Sequence, residues 1–184
     1  MPTPTLVMDA PLANIWLAIQ AQLATDTELK FIDLDTGQLE YKDNMERPAV
    51  LLPCALIDFP DIDYESLSFN VQEGESILQV RLGVNPLTQA TQYFTDTQKA
   101  NALDFFNLEG RINLLLHGWS NSQYFTPLRR IKIKTEGRND KLRVRVLYYK
   151  FGFVDNTGLP ITTSIARPNL QVNITDQAGH VGQY

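Results

Sequence analysis

The side chains that could do chemistry are few and scattered in this chain. There are two histidines, His117 and His180, and one cysteine, Cys54. Neither histidine has a second histidine at metal-ligand spacing, and no H-E-x-x-H occurs. His117 closes a helical pattern, where a cation favours the helix dipole, so it reads as a helix-end residue rather than a base. Cys54 has no partner for a disulfide or for a zinc site. It lies in the apolar run Val50-Leu51-Leu52-Pro53-Cys54-Ala55-Leu56-Ile57 and reads as a small buried hydrophobe. Asp58, Asp61 and Asp63 are the tightest carboxylate cluster. Their D-x-D spacing resembles a calcium loop, but no glycine at the sixth position and no closing glutamate follow, so the stretch reads as a solvated loop. No G-x-S-x-G elbow, Walker loop or G-x-G-x-x-G cradle is present. Trp16 and Trp119 read as core anchors. The sequence nominates no catalytic, cofactor-binding or metal-ligating residue, and the expectation is a protein that is not an enzyme and uses no cofactor.

The elements that would position any site are clearer. A helix is expected from Asp9 as cap and Pro11 in the first turn, where the missing N–H costs nothing. Leu12, Ile15, Trp16, Ile19 and Leu23 form its apolar stripe, and it should stop near Thr25-Asp26-Thr27. A short strand at 29–34 and a turn at Asp35-Thr36-Gly37 follow. The polar loop Tyr41–Pro48 leads into the nearly continuous apolar run 49–59, a strand covered on both faces, with Pro53 forcing an edge, bulge or break. Pro60-Asp61-Ile62-Asp63-Tyr64 reads as an acidic turn or loop. Strand 77–84 alternates Leu78, Val80, Leu82 and Val84 against Gln79 and Arg81. A long helix is expected over Asp96–His117, with Leu108, Ile112, Leu115 and Leu116 on one stripe, extended by Leu103 and Phe105, and Gly118 as its stop. A hairpin follows, with strands 128–135 and 142–153 around Gly137-Arg138-Asn139-Asp140. Two units are expected: an α+β domain over 1–154 and an extended arm over 155–184, in which only Leu170–Ile174 looks strand-like. The 184 residues suffice for one core without staples. Met1–Asp9 lacks the basic region and apolar core of a secretion signal, and no segment approaches a membrane span. The expectation is a protein used in the cytoplasm, or released from it by lysis, with no membrane partner.

Charge is strongly polarised along the chain. The net charge is −5, yet residues 1–80 hold 14 Asp/Glu against 3 Lys/Arg. Residues 129–150 hold nine cations, Arg129, Arg130, Lys132, Lys134, Arg138, Lys141, Arg143, Arg145 and Lys150, against Glu136 and Asp140. Simple alternation puts Arg130, Lys132 and Lys134 on one face with Ile131 and Ile133 on the other, and Arg143 and Arg145 opposite Val144 and Val146. Three readings follow: a solvated cationic face, phosphate contact with nucleic acid, or an acidic protein neighbour. The third is favoured over the second, because a dedicated nucleic-acid binder is usually basic overall and this chain has a pI near 5.0. The acidic first half of a second copy would supply such a neighbour, and a head-to-tail contact of that kind closes into a ring when the rotation permits. The candidate interface residues are the first eight of these cations, without Lys150.

The order of elements carries a resemblance. An amphipathic helix, a strand, a polar loop ending Arg47-Pro48, the apolar strand Val50–Ile57, a further strand, a long helix and an antiparallel pair follow one another. Over residues 8–153 this resembles the tail-terminator (tail-completion) proteins of long-tailed phages and related contractile particles. The resemblance implies a mixed, mainly antiparallel sheet with the two principal helices packed on one side. It also implies a ring, often hexameric, that caps the tail tube, stops its growth and joins it to the head connector. Catalysis and cofactors would be absent. Assembly would take place in the bacterial host cytoplasm, and the product would be part of the virion. The basic hairpin and acidic first half would then be subunit or tube contacts. The 155–184 arm departs from a minimal terminator and leaves a neighbouring head–tail adaptor as the alternative, beside a nucleic-acid-binding module using hairpin 128–150.

Overall fold

The computed structural model describes residues 10–40, 50–85, 93–138 and 142–159. Its elements are α1 (Pro11–Leu23), β1 (Phe31–Leu34), β2 (Cys54–Ser68), β3 (Val71–Val84), α2 (Asp96–Leu116), β4 (Arg129–Thr135) and β5 (Arg143–Asp155). One five-stranded sheet has the order β1-β2-β3-β5-β4. Only β1 and β2 are parallel; the other neighbours run antiparallel. This is the expected α+β class with a mixed, mainly antiparallel sheet.

Both helices pack on one face. Ile15, Ile19 and Leu23 of α1 and Leu108, Ile112 and Leu116 of α2 meet Ala55, Ile57, Leu78, Val80, Leu82, Leu147 and Tyr149 in one buried cluster. Each such side chain contributes roughly 1.5–3 kcal/mol by leaving water, which fixes the helices to this face. The helix stripes follow the sequence pattern except at Leu103, which is exposed. α1 starts at Pro11 behind Ala10, which makes no side-chain cap; Asp9 lies outside the described residues. α2 begins with a reciprocal capping box between Thr95 and Gln98.

The opposite face holds a smaller cluster of Leu39, Cys54, Leu56, Val144 and Val146. Cys54 is fully buried, and burial pushes its thiol up to about 11. Its register partner is Gly83, where an added Cβ would sit 2.7 Å from Cys54 Sγ. A glycine is therefore what lets Cys54 and Leu39 close over this part of the sheet.

Two expectations are corrected. The apolar run does not enter the sheet at 49: β2 starts at Cys54, after a cis Leu52-Pro53 bond. Nor does it end at Pro60. β2 continues to Ser68 through a register shift between Asp58 and Asp61, and the shift accommodates Pro60, which has no N–H for the ladder. Asp61, Ile62, Asp63 and Tyr64 are thus strand residues and not a loop. β3 starts at Val71, earlier than the expected 77. The loop ending Arg47-Pro48, the strand-like 170–174 and His180 lie outside the described residues, as does the 155–184 arm beyond residue 159.

Candidate interaction surfaces

Arg81 lies on the sheet face away from the helices and is only 6% exposed. Its guanidinium meets three carboxylates. Nη1 donates to Asp35 at 2.9 and 3.2 Å, Nη2 to Glu40 at 2.8 Å, and Nε and Nη2 to Glu136 at 2.8 and 3.0 Å. Burial alone would lower its pKa, but the hydrogen bonds from Glu136 and Asp35 outweigh it and the group stays charged. The fork geometry suits three acids reached from different segments: the turn after β1, the chain just beyond it, and the exit of β4. Arg138 also binds Glu136, at 3.2 Å, and donates to the Leu39 carbonyl. Sequence alternation places Arg81 on this face, but nothing local marks Asp35, Glu40 and Glu136 as its partners.

The basic hairpin does not present one cationic face. A register shift between Arg130 and Lys132 leaves Ile131 as an extra residue, so Arg130 pairs with Tyr149 while Lys132 pairs with Tyr148. Adjacent residues of β5 point to opposite faces, so Arg130 falls on the helix side and Lys132 and Lys134 on the other. This corrects the simple alternation, which put all three together, and it leaves Ile131 exposed. Arg143 and Arg145 also point to the helix side. Arg145 Nε binds Glu109 of α2 at 2.7 Å and Nη1 binds Thr135 at 2.6 Å. The Arg143 guanidinium lies 3.8 Å from the Phe105 ring centroid. Lys150 pairs with Glu75. Among the described residues, Arg129, Arg130, Lys132 and Lys134 form no ion pair, although Lys132 stands 5.8 Å over the Tyr148 ring. Lys141 is outside the described residues.

The acidic first half is divided in the same way. Asp35 and Glu40 serve Arg81, while Asp26 and Glu28 bind Arg111 and fasten the exit of α1 to α2. Burial would raise the Asp26 carboxyl, but the Arg111 hydrogen bond and charge and two backbone N–H groups bring it below its ordinary value. Asp33 lies on β1 and Asp58 precedes the register shift, whereas five further acids gather on the outer half of the β2–β3 hairpin. Asp61, Asp63 and Glu65 of β2 and Glu73 and Glu75 of β3 share the face away from the helices. Asp63 stands opposite Glu75 and Glu65 opposite Glu73. Like charges directly across a ladder destabilise it.

This outer half is a ribbon of β2, β3 and the end of β5. The register from Asp61 to the turn at Phe69-Asn70 spans eight residues, about 25 Å at roughly 3.3 Å each. Asn70 takes a positive φ of 62° in that turn. An aromatic cluster braces the base: Phe59 and Phe125 each meet Phe151 edge-on, Phe153 tilts against Phe151, and Tyr64 stands edge-on to Phe153 with centroids 5.9 Å apart. Phe153 lies across Gly74, where a Cβ would meet its ring at 2.5 Å. Toward the tip the apolar side chains stand exposed among the described residues: Leu67 is 59% and Phe69 88% exposed. The sequence does carry a signal for this ribbon, since Asp61-Ile62-Asp63-Tyr64-Glu65 alternates strictly, but Pro60 diverts the reading to a loop.

The remaining candidates supply little chemistry. His117 ends α2, and its Nδ1 accepts from the Arg130 backbone N–H at 3.1 Å. Trp16 and Trp119 are partly buried against the main core. Asp58, Asp61 and Asp63 do not converge, and among the described residues no group of three or more His, Cys, Asp or Glu could hold a metal ion. An open cleft of about 490 Å³ lies between the Pro53 turn and the first half of α2, lined by Lys30, Leu51, Asn101, Asp104, Phe105 and Leu108 among others. No histidine, cysteine or serine lines it among the described residues. No described helix is long and apolar enough to cross a membrane.

No family profile and no curated protein matches the sequence. Among solved structures, the chain is similar to one from the virion of a native gene transfer agent (GTA) particle. That likeness has 12% identity and a TM-score of 0.39, and covers 79% of this chain and 92% of that chain.

Proposed function

We propose that this chain is a structural protein of a phage-like tail, which assembles with copies of itself into a ring that caps the tail tube and joins it to the head connector. The observation that carries the assembly role is the β2–β3 ribbon. It extends beyond the cover of the helices, exposes Leu67 and Phe69, and sets like charges against each other. Narrow ribbons of this kind gain little stability from their own burial. Exposed apolar tips on a charged stalk suit contact with another chain. The order of elements, which resembles the tail terminators, supplies the kind of particle. The expected partners are copies of the chain, the tail-tube protein and the connector. The expected places are the bacterial cytoplasm during assembly and the virion afterwards.

Nucleic-acid contact by the hairpin has less support. Four of its cations, Arg138, Arg143, Arg145 and Lys150, are engaged within the fold, and Arg129, Arg130, Lys132 and Lys134 divide between two faces. Co-expression with a phage tail-tube protein and a head-connector protein from the same genome, followed by affinity capture and electron microscopy, tests the reading. Rings or capped tubes containing the chain are the expected result. Failure to recover either partner, with the chain remaining alone, would count against it.

A further inference from the structure

Among the described residues, two groups of charged side chains on the sheet face away from the helices largely lack ion-pair partners. On the ribbon, Asp61, Asp63, Glu65 and Glu73 form no ion pair among the described residues, and Glu75 has only Lys150. On β4, Arg129, Lys132 and Lys134 share the face away from the helices and likewise form none, with Arg130 behind them. The numbers nearly balance, yet the two groups cannot meet within one chain. β5 separates them: β4 pairs with it from Arg145 to Lys150, while the ribbon pairs from the other side from Lys150 to Asp155, so only the row Asp61, Ile77, Lys150 and Arg129 is common to both. The acids of β2 and β3 and the cations of β4 therefore lie on opposite sides of β5 in one sheet.

We infer that the acidic face of the ribbon of one copy docks on the β4 cations of a second copy. The inference rests on the assembly role proposed above and specifies its contact. Three observations converge on a second copy as the occupant. The first is the near-equal count of opposite charges. The second is the opposition of Asp63 to Glu75 and of Glu65 to Glu73, a repulsion that an incoming cation relieves. The third is the apolar tip, Leu67 and Phe69, which supplies what charge alone does not. Ion pairs set register and encounter rate, whereas buried apolar area holds the complex. Lysines and a bulge on an edge strand also discourage indiscriminate strand pairing. An acidic ribbon is the partner that such an edge still admits. Each copy carries both halves of the contact, so the contact can repeat from copy to copy and close a ring.

Reciprocal charge reversal tests it. One variant carries Lys132→Glu and Lys134→Glu, the other Asp63→Lys and Glu65→Lys. All four positions are exposed, and unchanged thermal midpoints confirm that each variant folds. Self-association is read by light scattering and sedimentation at low and high salt. Each variant alone should associate on the order of a hundredfold more weakly than the wild type, because like charges now face each other. An equimolar mixture should recover association, since each variant's altered patch complements the other's. Wild-type assembly that neither variant weakens, or a mixture that does not recover, overturns the contact while leaving the assembly role standing. A wild-type chain that stays monomeric at its solubility limit in low salt also overturns the contact, and recovery of tail partners then decides the assembly role separately. A closed pair in place of a ring supports the contact and refutes the ring.

Discussion

The Arg81 pocket and the β2–β3 ribbon hold the same kinds of charge in opposite circumstances. Around Arg81, three carboxylates from separated segments converge on one planar donor, and each nitrogen of the guanidinium has a carboxylate acceptor. On the ribbon, five carboxylates share one face, and among the described residues Lys150 is the only cation paired to any of them. The first group is closed: its charges have been matched by folding, and it fastens loops over the small core. The second is open: among the described residues only Glu75 meets a cation, Lys150. The basic hairpin shows the same division within a single element. Arg145 is held by Glu109, whereas Lys134 is exposed and forms no ion pair. Charge density along the sequence does not separate these cases, because neutralisation depends on which distant residues come within about 3 Å.

The largest effect that tests this contrast is loss of the Arg81 side chain. Arg81→Met should lower stability by about 3–5 kcal/mol, since it leaves Asp35 and its neighbours without their cation. Chemical denaturation measures it, and a variant as stable as the wild type would show that the pocket is not closed. Next, Arg145→Glu should cost about 2 kcal/mol or more, because it places a carboxylate against Glu109. Lys134→Glu should stay within about 0.5 kcal/mol of the wild type. Equal effects of the two would erase the distinction within the hairpin.

Acid sensitivity is a smaller and directional test. The Asp26 carboxyl in the fold lies below its ordinary value of 3.8. Its stabilising contribution is therefore complete above that pH and is lost as pH falls through the lower, folded value. Asp26→Asn should flatten the fall in unfolding midpoint at acid pH, and an unchanged slope would assign the dependence elsewhere. The smallest effect is expected on the ribbon. Glu73→Gln removes one member of an opposed pair and should leave stability unchanged or raise it by about 0.5 kcal/mol or less. Added salt should produce the same small gain in the wild type and less in the variant. A clear loss of stability would mean that Glu73 is matched within the chain.

Much of the fold is determined by local pattern. The α1 and α2 stripes, Gly118 as the helix stop and the alternation of β3 can be read from the residues, because burial of one helix face or one strand face repeats at a fixed period. The buried state of Cys54 is legible from its apolar neighbours for the same reason. The absence of a reactive constellation in the sequence also directs attention to surfaces. Other features depend on pairing across the sheet. The register shift beside Pro60 turns an apparent loop into the stalk of a ribbon, and the bulge at Ile131 sends Arg130 to one face and Lys132 and Lys134 to the other. A single extra residue inverts every side chain beyond it, so no local periodicity reveals where the inversion falls. The partners of Arg81 lie 41 to 55 residues away in the chain. Sequence by itself determined how much charge each stretch carries; only the tertiary structure decided which charges folding pairs and which it leaves exposed, because Coulomb energy depends on distance in space and not on distance along the chain.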